Sequence, residues 1–176
     1  HLFLKTFEEL GVNEAIRDAI VELGFEHPMP VQEEVIPYLL GENNDVIALA
    51  QTGTGKTAAY GIPVLQKTDA TIKTTQALIL SPTRELCLQI ADDLKSFGKN
   101  IDGLHIVAVY GGASITTQIH ELRHGAQIIV ATPGRLIDLM ERKVVKLDNL
   151  RNIVLDEADE MLNMGFSDSI NTIFEA

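Results

Sequence analysis

Five short apolar runs, Val46–Ala50, Ala77–Leu80, Ile106–Val109, Ile128–Ala131 and Ile153–Leu155, punctuate the chain at intervals long enough to hold a helix between each pair. An amphipathic helix would interleave polar residues, so runs this short and continuously apolar read as strands buried on both faces. The segments between them show the helical interval instead. Leu86, Ile90, Leu94 and Phe97 are spaced by four, four and three, and Ile16, Ile20 and Leu23 repeat in the same way, so each set makes one apolar face. Strand–helix alternation commits the chain to an α/β fold: a parallel sheet with right-handed crossovers and helices on both faces. Pro63 falls inside the helix expected after Lys56 and is expected to kink or shorten it.

The chain has 176 residues, 45% of them hydrophobic, enough to bury one core without disulfides or structural metals. Its single cysteine, Cys87, lies among Leu86, Leu88 and Ile90 and reads as a packed thiol. No apolar run approaches the ~20 residues of a membrane span and no secretory signal is visible, so the expected location is cytoplasmic. A net charge of −11 argues against a domain-wide field that attracts nucleic acid, so any such contact must be local. The chain opens with His1, and residues 1–5 read as a tag remnant or an N-terminal extension; Ile170 to Ala176 still look helical, as in a fragment.

Ala50-Gln51-Thr52-Gly53-Thr54-Gly55-Lys56-Thr57 follows the first apolar run and opens a helical segment, the layout of a phosphate-binding P-loop. Small residues let successive backbone N–H groups turn inward around a phosphate, and the helix N-terminus adds partial positive charge. Lys56 can reach the terminal phosphates and the Thr57 hydroxyl can ligate magnesium. The usual pattern begins with Gly, and this chain has Ala50 there. Asn152-Ile153-Val154-Leu155-Asp156-Glu157-Ala158-Asp159 ends the last apolar run in acids, which puts Asp156 at the carboxyl end of a buried strand, where open α/β sheets collect ligands. The competing reading is an acidic helix N-cap.

Together these segments resemble the DEAD-box family of ATP-dependent RNA helicases, most closely its bacterial members. Asp156-Glu157-Ala158-Asp159 spells the family name, and Ala50 to Thr57 matches the family's P-loop, where Ala leads. Pro82-Thr83-Arg84-Glu85-Leu86 resembles motif Ia, Gly111-Gly112 the GG element, and Thr132-Pro133-Gly134-Arg135 motif Ib. Gly24-Phe25, Pro28 and Gln32 resemble the Q motif, with Phe7 at the isolated aromatic. The resemblance implies a RecA-like P-loop NTPase domain spanning residues 1–176, the first of two, ending before motif III and without the second domain. It implies ATP and magnesium as cofactors. Gln32 would pair with adenine, and Phe7 and Phe25 would flank the base. Gln51, Thr52, Gly53, Thr54, Gly55 and Lys56 would hold the phosphates, and Thr57 with Asp156 would hold magnesium, partly through water. Glu157, Lys56 and Asp156 would be catalytic, with Glu157 on the attacking water, and Asp159 would couple the two domains. Pro82, Thr83, Arg84, Gly111, Gly112, Thr132, Pro133, Gly134 and Arg135 would hold an RNA sugar–phosphate backbone without reading its sequence. On spacing alone, Pro82 and Pro133 could simply start helices.

The expected function is ATP-driven unwinding of RNA or remodelling of RNA–protein complexes, with the fragment alone binding nucleotide but not unwinding. From a different class, the alternative is a non-catalytic, nucleotide-dependent RNA clamp or scaffold. His120-Glu121-Leu122-Arg123-His124 also spells the zinc-protease pattern, with Glu141 as the obvious third ligand. Ile115, Ile119 and Leu122 give that helix an apolar face that turns both imidazoles outward, so no zinc is expected. Finally, the resemblance places the strand after the acidic motif between the P-loop strand and the Asp156 strand. A chain ending at Ala176 would then leave a gap in the sheet, to be filled by later residues or by a neighbouring molecule.

Overall fold

The computed structural model describes residues 4–41, 46–49 and 55–175. Within them five strands, β1 (Val46–Leu49), β2 (Ala77–Leu80), β3 (Ile106–Val109), β4 (Ile128–Ala131) and β5 (Asn152–Asp156), form one parallel sheet in the order β1-β5-β2-β4-β3. Strand side chains alternate between two cores, as a pleated sheet covered on both faces requires. On β2, Ala77 and Ile79 join Val154 and Ile128 in one cluster, and Leu78 and Leu80 join Ile129 and Ala131 in the other. The first face is covered by α1 (Glu14–Glu22), α2 (Pro30–Leu40), α3 (Lys56–Lys67) and α4 (Arg84–Phe97). The second carries α5 (Ile115–Leu122), α6 (Pro133–Glu141), α7 (Ala158–Asn163) and α8 (Ser167–Phe174). Among the described residues no helix is long and apolar enough to cross a membrane.

Three expectations are corrected. No gap opens in the sheet: β1 pairs directly with β5, from Val46 opposite Ile153 to Leu49 opposite Asp156. Closing up satisfies backbone groups that a central gap would have left bare. Pro63 does not shorten helix α3, which continues to Lys67. A proline at that position forfeits the bond to the Ala59 carbonyl, but Lys56 and Ala58 to Leu65 are buried, so packing holds the helix where propensity would end it. Leu23 does not share the apolar face of Ile16 and Ile20. It is the C-cap of α1 and 48% exposed, and Ala19 takes the third buried position.

Cys87 is the packed thiol its neighbours suggested. It is fully buried on α4, and burial above all pushes its pKa up to about 12, so it stays protonated and inert at neutral pH.

Candidate functional site

In a parallel sheet all carboxyl ends lie on one edge, so the loops after β1 to β5 meet there. Gly55 begins α3 in the left-handed region (φ 83°), and a Cβ there would come within 2.8 Å of Gln32 Nε2 and 2.6 Å of Met29 Sδ. Only glycine meets both demands. One residue on, Lys56 is 6% exposed, and its Nζ lies 2.5 Å from Asp156 Oδ1 and 2.8 Å from Glu157 Oε2. Asp156, 3% exposed, ends β5 and also accepts a 2.7 Å hydrogen bond from the Tyr60 hydroxyl at Oδ2. Its Oδ1 has the lysine's charge but no aligned hydrogen bond; Ser81 Oγ is the other such buried side-chain oxygen among the described residues. Asp156 and Glu157 thus set their carboxylate oxygens around one ammonium. Together with the Thr57 hydroxyl at the start of α3, that is a set of hard oxygen donors suited to magnesium.

Glu157 turns the chain from β5 into α7 with φ 58° and ψ 48°. Only it and Lys143 among the described non-glycine residues have positive φ. The acidic N-cap alternative has the position right and the chemistry wrong, because Glu157 is the N-cap residue of α7 but makes no side-chain cap bond. Asp159 is exposed in the first turn of α7. Ala50, Gln51, Thr52, Gly53 and Thr54 lie outside the described residues.

Beside the start of α3, Gly24, Phe25, His27, Met29, Gln32 and Gly55 line a cavity of about 420 Å³. Gln32 is 1% exposed; its Nε2 donates to the Gly55 carbonyl at 3.2 Å, and its Oε1 accepts from the Met29 N–H at 2.9 Å. The amide therefore ties the head of α2 to the head of α3, and it keeps a second N–H and a second lone pair for a base. Phe25 borders the cavity and packs edge-on against Phe97. Phe7 is buried in the core, its ring centroid 6.2 Å from that of Phe25, so it backs the cavity wall.

The remaining predicted residues line the same sheet edge. Pro82 is buried, and Thr83 caps α4, its hydroxyl accepting from the Leu86 N–H at 3.2 Å. Arg84 is exposed, with its guanidinium 5.2 Å from the Tyr110 ring centre. Gly111 and Gly112 are exposed in the turn after β3, and Thr132, Pro133 and Gly134 open α6, with Pro133 in its first turn. Arg135 is turned inward, donating to Gln118 Oε1 at 2.8 Å and to the Ala113 carbonyl at 3.1 Å.

Gln118 was not foreseen. Its Oε1 also accepts from the Tyr110 N–H at 3.3 Å, and its Nε2 donates to the Tyr110 carbonyl at 3.2 Å. Arg84, Tyr110, Gln118 and Arg135 thus lace three loops together. The signal was available: Gln118 shares the buried stripe of Ile115 and Leu122, and a polar residue on a buried face implies partners. Gln118→Leu leaves those groups unpaired and should cost about 2–3 kcal/mol. Urea unfolding reads this, and a loss under about 1 kcal/mol would show that the loops hold without it.

His120 and His124 are exposed, their rings edge-on with centroids 5.1 Å apart. Among the described residues no three His, Cys, Asp or Glu side chains converge on a metal position.

Comparison with known proteins follows the same lines. The family model described as DEAD/DEAH box helicase matches residues 29–176. The "ATP-dependent RNA helicase DeaD" of Escherichia coli K12 is 48% identical over 171 residues, covering 97% of this chain and 27% of that protein. The "ATP-dependent RNA helicase CshA" of Listeria monocytogenes is also 48% identical over 171 residues, covering 96% of this chain and 32% of that protein. The chain therefore spans about a quarter to a third of such relatives. Among solved structures, a DEAD box protein from Methanococcus jannaschii superposes with a TM-score of 0.90 at 41% identity, covering 99% of this chain and 47% of that one. A hypothetical ATP-dependent RNA helicase from Sulfolobus tokodaii gives 0.82 at 42% identity, covering 92% of this chain and 46% of that one.

Proposed function

Because this chain belongs to the DEAD/DEAH box helicase family, we propose that it is the first RecA-like domain of an ATP-dependent RNA helicase, binding ATP with magnesium and holding one side of an RNA strand. The observation that carries this reading is the junction at Gly55. Its carbonyl is held by Gln32, which lines the cavity beside it, and the next residue, Lys56, is held by Asp156 and Glu157. A nucleotide laid across that junction meets a purine-sized cavity with a free amide edge and, one residue away, an ammonium for its phosphates.

Thr57 and Asp156 would hold magnesium, which would supply positive charge at the phosphate site. Lys56 leaves the two carboxylates for the phosphates, and Glu157 is then released to orient and deprotonate the attacking water. Exposed Arg84, Gly111, Gly112 and Gly134 present charge and backbone amides to a sugar–phosphate chain, which suits sequence-independent binding. A second RecA-like domain would complete the site, and Asp159, exposed on α7, would face it. A dedicated Glu157 beside the phosphate lysine supports turnover over the scaffold alternative.

The test compares ATP and GTP affinity of the chain with magnesium, for the parent and for Gln32→Ala. We expect a preference for ATP of at least about tenfold, as one well-made bidentate base contact provides, and its loss in the variant. Binding without base preference in the parent would leave a generic phosphate site and overturn the reading.

A further inference from the structure

Tyr60 lies one turn after Lys56 on α3, wholly buried, with its hydroxyl aimed at the acid that ends β5. A buried phenol must place its O–H somewhere. Here it donates to Asp156 Oδ2 at 2.7 Å, so the phenol engages one of the two residues assigned to magnesium.

We propose that Tyr60 is a positioning residue that makes Asp156 a one-oxygen ligand and thereby sets the site's preference for magnesium over calcium. The proposal rests on the ATP–magnesium reading above. The carboxylate's terminal torsion is broad and nearly two-fold, so nothing intrinsic decides which oxygen faces a cation. The phenol decides it by occupying Oδ2, which leaves Oδ1 turned to Lys56 and the phosphate site. Calcium accepts two oxygens from one carboxylate in a flexible shell of six to eight ligands. Magnesium is smaller and stricter, and is bound through a few carboxylate oxygens while keeping much of its water. A carboxylate with one oxygen already engaged favours the second ion.

Tyr60→Phe removes the hydroxyl and keeps the ring that packs the core. The experiment titrates magnesium and, separately, calcium into the chain with a fluorescent ADP, and compares the two midpoints. In the parent, magnesium should act at the lower concentration. In Tyr60→Phe the magnesium midpoint should rise about three- to tenfold while the calcium midpoint stays or falls, so that their ratio shrinks at least fivefold. Circular dichroism melting of both chains reads any purely structural contribution. An unchanged ratio, whatever happens to the melting temperature, overturns the proposal and leaves the ATP–magnesium reading standing. A parent whose ADP affinity responds to neither cation overturns both. Should Tyr60→Phe fail to fold, 3-fluorotyrosine at position 60 keeps the ring and makes the hydroxyl a stronger donor. The ratio should then move in magnesium's favour, and no movement overturns the proposal.

Discussion

Replacing Lys56 with methionine is expected to lower the unfolding free energy by about 3–5 kcal/mol at neutral pH, because it strips the ammonium that the buried Asp156 and Glu157 carboxylates share. Lys56 and Asp156 are 6% and 3% exposed, and Glu157 is half-buried beside them, so water cannot replace the lost ammonium. Methionine keeps most of the side-chain stem, which confines the change to the charge. Against a total stability of roughly 5–15 kcal/mol for a domain, the loss is large. Urea unfolding should show a lower midpoint with an unchanged slope. Added magnesium should recover part of the loss in the variant, since it binds the folded carboxylates and not the unfolded chain. A loss below about 1 kcal/mol would mean that the triad is effectively solvated and its geometry incidental. The lysine assigned to phosphate is thus also a structural counter-charge while no phosphate is present. That dual role explains how two adjacent acids can be stored beneath a strand end.

The elements that could be read from the sequence are those set by local chemistry. Continuous apolar runs located β2, β3 and β4 to the residue, and Pro82 and Pro133 marked the starts of α4 and α6 to within two residues. The meeting of Lys56 with Asp156 and Glu157 could be anticipated because such clusters need particular residue types at particular spacings. What could not be read depends on which distant segments meet. Spacing carries no information on strand order, so the direct β1–β5 pairing had no local sign. Tyr60 belongs to no motif, and it meets Asp156 across 96 residues. Arg135, expected on an RNA backbone, is held by Gln118, 17 residues earlier. Pro63 misled for the reverse reason, since a strong local rule yielded to burial on both sides of α3.

Glu157→Gln should leave the fold and the ATP affinity nearly intact while reducing ATP turnover of the full-length protein by about 10²–10⁴-fold, the usual contribution of a positioned general base. Glutamine matches glutamate in size, and its carbonyl oxygen can still accept from Lys56 Nζ, which now sits 2.8 Å from Oε2. It cannot take a proton from water. The backbone argues that the residue is kept for its chemistry. At φ 58° a side-chain-bearing residue costs roughly 1–2 kcal/mol relative to a right-handed conformation, and glycine would relieve that cost. Glu157→Gly should therefore unfold at higher urea than the parent while losing turnover as fully as the glutamine variant. Turnover within tenfold of the parent for Glu157→Gln would move the base elsewhere and make the left-handed turn a matter of packing alone. Loss of ATP affinity in step with turnover would instead assign Glu157 to binding. A drop confined to turnover, together with a more stable glycine variant, would show that backbone strain is stored at this turn to aim one carboxylate.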